Sequence, residues 1–258
     1  MDHIREYWEN QGIIHKQSHC ASWGDNWAIS LEIETIGKYI HEKSNILDVG
    51  CANGYSTFQQ LLSHDSCSII GVDFAESMIN EANTAKKNQG LGDNILFQQA
   101  DIRSLPFESN SFDISYTTRV LINLPTWEEQ KTAILECLRV VRPGGKLILS
   151  EGFWEPLVLL NSLRTLKGLP PLVEHDFNRY LKKSALEEFL AELEVDFLFD
   201  DFSSIYYLGS RFLRELVTNP SEFPGFSNPV NEIFYKLERD YSGGGFGIQQ
   251  AVIITKPK

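Results

Sequence analysis

The sequence predicts an α/β protein: a doubly wound, mostly parallel sheet of seven strands, a helical extension ahead of it and an insertion after the fifth strand. Three observations carry this. Short apolar runs ending in Asp48, Asp73 and Asp101 recur with helical patterns between them, and parallel neighbours need such crossovers. The small-residue loop Gly50-Cys51-Ala52-Asn53-Gly54 joins the first run to the first of these helices, as a strand-turn-helix does where it approaches a ligand closely. Beyond Glu151 the alternation breaks into an aromatic-rich stretch holding Gly168-Leu169-Pro170-Pro171, then resumes.

Taken in order, Ile29, Ile33, Ile36 and Ile40 form an apolar stripe at helical spacing. The segment His15 to Trp27 before it reads as a loop; its His15 and His19 lie four apart, a spacing that fits a shared helix face with metal ligands or plain surface histidines. Strands follow at Asn45 to Val49, Ser68 to Val72, Ile95 to Ala100, Phe112 to Thr117 and Lys146 to Ser150, with helices at Tyr55 to Leu62 and Phe74 to Lys87. Thr126 and Glu129 form a capping box for the next helix, which Arg142-Pro143-Gly144-Gly145 stops. Residues 152–181 form the insertion. Ser184 with Glu187 predicts another capping box; Val195 to Phe199 and Ser204 to Leu208 have strand character; Asn228 with Pro229 opens a helix to Leu237; Gln249 to Thr255 is the last strand.

Composition narrows the function. The 258 residues are 42% hydrophobic and 22% charged, which suits a globular chain with its own core. A formal charge of −12 argues against a nucleic-acid surface and favours small molecules as partners. Four cysteines without paired spacing, no membrane-length apolar run and a mixed-charge N-terminus predict a cytoplasmic protein without membrane association. No metal site is expected.

Ligands of open α/β sheets bind beyond the carboxyl ends of the strands. Here those ends carry Asp48 with the loop from Gly50 to Gly54, then Asp73, Asp101, Thr118 with Arg119, and Glu151. Asp73 follows Gly50 by 23 residues, the distance at which an acid reaches ribose hydroxyls in such folds. A dinucleotide site needs G-x-G-x-x-G, whereas Gly50, Ala52 and Gly54 are each separated by one residue. Asp48, immediately ahead of the loop, suits a cationic or zwitterionic ligand better than a pyrophosphate.

On these residues the chain resembles the class I S-adenosylmethionine-dependent methyltransferases. Asp48 to Gly54 (DVGCANG) is similar to their first motif and Gly71 to Met78 (GVDFAESM) to the end of their second strand. Gln99 to Phe107 with Ser111 to Asp113, and Leu138 to Leu147, are similar to their later motifs, so the likeness spans roughly residues 44–151. It implies a Rossmann-like methyltransferase fold and S-adenosyl-L-methionine as cofactor. Gly50, Cys51, Ala52 and Gly54 would hold its methionine part with Asp48 near the ammonium; Asp73 would bind the ribose. Phe74 or Met78 would pack on the adenine, Asp101 and the Ile102 backbone would meet its amino edge, and Thr118 and Arg119 would border the sulfonium. Ala52 stands where a glycine is usual, which costs little at negative φ. The histidine that many small-molecule members carry after the fourth strand is replaced by Ile122 and Asn123.

The implied activity is O- or N-methylation of a small molecule; a non-catalytic S-adenosylmethionine-binding regulator and, less favoured, an NAD(P)-dependent oxidoreductase are the alternatives. His175 and Glu151 lead the candidates for a general base, ahead of His15, His19 and Tyr206. Tyr7, Trp8, Trp23, Trp27, Phe153, Trp154, Tyr206 and Tyr207 are candidate pocket walls or core, and Trp23 with Gly24 is the expected N-terminal contact with ligand. The expected organisation is a helical cap at 1–43 and a catalytic domain at 44–258, with 152–181 closing over the site.

Overall fold

A computed structural model describes residues 2–218 and 225–258. Seven strands form one sheet: β1 (Asn45–Val49), β2 (Ser68–Asp73), β3 (Ile95–Gln99), β4 (Phe112–Thr118), β5 (Val141–Gly152), β6 (Asp196–Asp200) and β7 (Gln249–Thr255). Their spatial order is β3-β2-β1-β4-β5-β7-β6, parallel except for β7, which runs antiparallel to both neighbours. The order reverses between β1 and β4, where Val49 pairs with Thr117. The carboxyl ends of these two strands therefore diverge into a crevice.

Among the described residues ten α-helices lie around the sheet: α1 (Asp2–His15), α2 (Asn26–Gly37), α3 (Tyr55–Ser63), α4 (Glu76–Asn88), α5 (Trp127–Val140), α6 (Trp154–Leu166), α7 (Lys183–Glu192), α8 (Ser204–Leu208), α9 (Arg214–Val217) and α10 (Val230–Asp240). Alternation along the strands sorts the core into two layers. Ile46, Ile69, Ile114 and Ile253 pack with residues of α2, α3, α4 and α6 on one face; Leu47, Leu147, Val252 and Ile254 pack with α5 and α7 on the other. No helix among the described residues is long and apolar enough to cross a membrane.

The structure departs from the sequence expectations at several local points. Residues 204–208 are helical, not a strand, because their ladder partner is lost after Asp200 and Glu238 of α10 accepts the Tyr206 N–H at 2.8 Å. At α7 Ser184 and Glu187 form no box; the Lys183 N–H is capped from α6, by the Glu155 carboxylate at 2.9 and 3.1 Å. Strand β5 runs straight through Arg142-Pro143-Gly144-Gly145, with a register shift opposite Phe112 and Ile114 that absorbs the proline. In α10 the Asn228 side chain does accept the Val230 N–H, at 3.0 Å, one residue later than Pro229. The Thr126 cap of α5 stands as expected, its oxygen accepting from the Glu129 N–H at 3.3 Å.

Candidate active site

The turn after β1 is held to the end of β2. The N–H groups of Gly50 and Cys51 donate to the Val72 carbonyl at 2.7 and 2.9 Å. Gly50 has φ 80°, and a Cβ there would lie 2.1 Å from a Val120 methyl carbon, so only glycine fits. Ala52 sits at φ 48°, so the condition of a negative φ, under which alanine would cost little, is not met. Its N–H donates to Asp73 Oδ2 at 2.9 Å, which holds the residue in the left-handed region. Asp73 Oδ1 accepts the Ala75 N–H at 2.9 Å. A carboxylate has about four lone-pair sites, so both oxygens keep capacity for a ligand. Burial pushes the Asp73 carboxyl up to about 6, against the lowering effect of these N–H groups.

Asp48 lies deeper, 1% exposed, on β1. Its Oδ2 accepts from Thr57 Oγ1 at 2.6 Å and from the Tyr116 hydroxyl at 2.8 Å, while Oδ1 is buried without a partner. Burial raises its carboxyl to about 7, and the two hydroxyls oppose that rise. Asp101 differs: hydrogen bonding from Arg103, at 2.6 and 3.0 Å, keeps its carboxyl below the ordinary range.

At the end of β4, Arg119 adopts φ 58° and ties the N-terminal segment to the sheet. Its Nη1 donates to the Ser22 carbonyl at 3.4 Å, Nη2 meets Glu32 Oε2 at 3.4 Å, and its guanidinium lies 4.9 Å from the Trp23 ring centre. Glu32, fully buried on α2, also accepts from Ser150 Oγ at 2.8 Å and from Gln249 Nε2, and burial raises its carboxyl.

These groups surround one cavity of about 360 Å³, within the range of small-molecule sites. Among the residues expected from sequence, Asp48, Gly50, Cys51, Ala52, Asp73, Phe74, Asp101, Ile102, Thr118, Arg119, Trp23 and His175 line it. Three do not. Gly54 is turned into the sheet as the N-cap of α3, where a Cβ would lie 2.8 Å from Phe97. Met78 is fully buried against Ala21 and Ala75. Glu151 is fully buried and spends its carboxylate on Thr117 Oγ1 at 2.7 Å and on the N–H groups of Val120, Leu121 and Ile122 at 3.1 to 3.4 Å, so it has no access to the cavity. Burial holds its carboxyl at about 7. Tyr206 is likewise committed, its hydroxyl 2.5 Å from Asp25 Oδ1. His15 ends α1 and His19 opens a separate turn, with Lys16 at φ 49° between them, so the two share no helix face. Of the candidate aromatic walls, Tyr7, Trp8, Trp23 and Tyr207 line the cavity; Trp27, Phe153 and Tyr206 pack into the core, and Trp154 lies on an outer groove.

Sequence reasoning missed how the first helix reaches the site. Glu9 caps α4 from outside: its carboxylate oxygens accept the Glu76 and Ser77 N–H groups at 2.8 Å each, where α4 has no side-chain cap of its own. Asn53 Nδ2 donates to the carbonyls of Lys16 and Ser18 at 2.6 and 2.7 Å, joining the loop to the end of α1. Ile4, Tyr7 and Trp8 are thereby set over the cavity. The only sequence signal was the apolar and aromatic content of α1. Asn123, marked in the sequence only by the histidine it replaces, and Gln249, which carried no signal, are also in the wall.

Residues 47–149 match a family model described as a methyltransferase domain. A ubiquinone biosynthesis O-methyltransferase of Coxiella burnetii is 28% identical over 178 residues, covering 66% of this chain and 72% of that relative. The 27-O-demethylrifamycin SV methyltransferase of Amycolatopsis mediterranei is 29% identical over 106 residues, 41% of this chain and 38% of its own length. Among solved structures, a chain from the Haloferax volcanii complex of the Trm112 methyltransferase activator and a methyltransferase superposes with TM-score 0.65 at 13% identity, over 97% of this chain and 98% of that one. The geranyl diphosphate C-methyltransferase of Streptomyces coelicolor A3(2) superposes with TM-score 0.58 at 13% identity, over 89% and 79%. Matched motifs, sheet order and relatives agree: residues 47–149 form a methyltransferase domain, in a chain similar to S-adenosylmethionine-dependent methyltransferases.

Proposed function

We propose that the cavity at the crevice between β1 and β4 binds S-adenosylmethionine and encloses a small acceptor for O- or N-methylation. The observation that carries the reading is the convergence of Asp48, the turn at Gly50, Asp73 and Asp101 on one cavity at successive strand ends. The residues fit this cofactor. Asp48 Oδ1, buried and unpartnered, is an acceptor waiting for a donor, and the ammonium of the methionine part supplies one. Asp73 takes the ribose hydroxyls with the lone pairs left by Ala52 and Ala75. Phe74 packs on the adenine, with Asp101 and the Ile102 backbone at its edge, and Thr118, Arg119 and Trp23 border the methyl end. Gly54 and Met78 act behind this layer, by shaping the turn and seating α4.

When bound, the cofactor supplies an electrophilic methyl group on a good leaving group. The protein's part is alignment and exclusion of water. In this account residues 1–43 act as a cap on a catalytic domain of residues 44–258, and 152–181 form the lid. His175, in the lid with the Tyr7 and Phe177 ring centres 5.4 and 4.3 Å away, lines the cavity and is our candidate to take a proton from a hydroxyl or amine acceptor. Glu151 is assigned to structure. The acidic charge and four free cysteines suit a cytoplasmic enzyme without a nucleic-acid partner.

The test is transfer of a radiolabelled methyl group from S-adenosylmethionine into a cytosolic metabolite extract, followed by mass spectrometry. Label in a small molecule is expected. Cofactor binding without transfer to any metabolite would favour a non-catalytic binder.

A further inference from the structure

Two amide side chains in the cavity wall carry buried oxygens with no hydrogen-bond donor, Asn123 Oδ1 and Gln249 Oε1. Their orientation is fixed by what their nitrogens do. Asn123 Nδ2 donates to the Arg119 carbonyl at 2.8 Å, and a flipped amide would set oxygen against oxygen. Gln249 Nε2 donates to the Glu32 carboxylate and to Ser150 Oγ at 3.2 Å, which pins it the same way. A buried acceptor left unpaired costs about 1–3 kcal/mol, so two of them beside one cavity call for a partner.

The charge of the cavity points in the same direction. Among the described lining residues the carboxylates are Asp48, Asp73 and Asp101, and Arg119 is the sole permanent cation. The Arg119 charge is countered by Glu32, with its Nη groups on Glu32 and the Ser22 carbonyl and its face on Trp23, while its Nε–H is a buried donor without a partner beside the two free acceptors. A carboxylate or phosphate acceptor would find no uncompensated cation among the described lining residues, and burying an unpaired anion is costly.

Resting on the methyltransferase reading above, we propose that Asn123 and Gln249 are the specificity residues of the acceptor site: they accept hydrogen bonds from hydroxyl or amine groups of an uncharged, ring-bearing acceptor and select against carboxylates and phosphates. The ring is implied by the aromatic wall of Tyr7, Trp23, Tyr180 and Tyr207. Neither amide takes up a proton, so the pair orients the acceptor and leaves deprotonation to another group.

Four probes that differ in one substituent test this: phenol, aniline, benzoate and phenyl phosphate, each titrated by ligand-observed NMR into the protein saturated with S-adenosylhomocysteine. Phenol and aniline are expected to bind at least tenfold more tightly than the two anions. Asn123→Leu and Gln249→Met should each reduce that preference to about threefold or less, while the affinity for S-adenosylhomocysteine stays within threefold of the parent. Anions that bind as well as the neutral probes, no binding by any neutral probe, or an unchanged preference in both variants would overturn the proposal. A protein that fails to bind S-adenosylhomocysteine at all would instead overturn the cofactor-site reading, and the wild-type probe comparison does not depend on any variant folding.

Discussion

Ala52 is held at φ 48° by its own N–H, which donates to Asp73 Oδ2 at 2.9 Å. The acid assigned to the ribose thus also fixes the turn assigned to the methionine part. A non-glycine residue in the left-handed region costs roughly 1 kcal/mol. Ala52→Gly removes that strain but frees the unfolded chain by a similar amount. The predicted change in stability is therefore within about 1 kcal/mol, with S-adenosylmethionine affinity within threefold, as read by chemical denaturation and titration. A tenfold loss of affinity would show that the Ala52 methyl itself contacts the ligand.

The Asp48 carboxyl, at about 7, gives a pH dependence with a definite sign. In the free protein the folded state keeps a proton that the unfolded chain releases near 3.8. Stability from this group is fully present below about pH 4 and is lost as pH rises through 7. Asp73 and Glu151 act in the same direction. The melting temperature of the free protein should fall between pH 6 and pH 8. A cationic ligand favours the ionised form, so S-adenosylmethionine should bind roughly tenfold more tightly at pH 8 than at pH 6. Asp48→Asn should flatten that profile; an unflattened profile would remove Asp48 from the ligand's ammonium.

Glu151 binds three consecutive N–H groups and one hydroxyl inside the protein. Glu151→Ala leaves these donors buried and unpaired, and should lower stability by about 3 kcal/mol or more. Denaturant unfolding checks this. A loss below about 1 kcal/mol would mean that the segment after β4 is held by something else.

Glu9→Ala tests the docking of α1. Removing a helix cap costs about 1 kcal/mol, a small change in global stability, but here it also releases Ile4, Tyr7 and Trp8 from the cavity rim. A faster release of S-adenosylhomocysteine, by fivefold or more in stopped-flow fluorescence, is expected with only a small shift in melting temperature. An unchanged release rate would make α1 a passive cover.

The sheet was legible because its information is local. Apolar runs such as Ile46-Leu47 and Ile69-Ile70 end in an acid or a small-residue turn, and the helices between them carry clear stripes. The strand-end acids were legible for the same reason: Asp48, Asp73 and Asp101 follow directly from the strand register. What stayed hidden depends on contacts distant in sequence. Helix α7 is capped by Glu155 from α6 and α4 by Glu9 from α1, and no spacing rule encodes either pair. Glu151 looked like a free strand-end acid because its partners are backbone N–H groups about 30 residues earlier. The positive φ of Ala52 could not be read from its side chain, since the constraint comes from Asp73. Asn123 and Gln249 meet at the cavity from positions 126 residues apart; Asn123 was marked only by the histidine it replaces, and nothing near Gln249 marks it.

The most direct test of the site assignment is a calorimetric titration of the parent protein and of Asp73→Ala with S-adenosylmethionine and with NAD. The parent is expected to bind S-adenosylmethionine and not NAD, and Asp73→Ala, still folded, to bind it at least tenfold more weakly. Preferential binding of NAD, or an unchanged affinity in Asp73→Ala, would contradict that assignment.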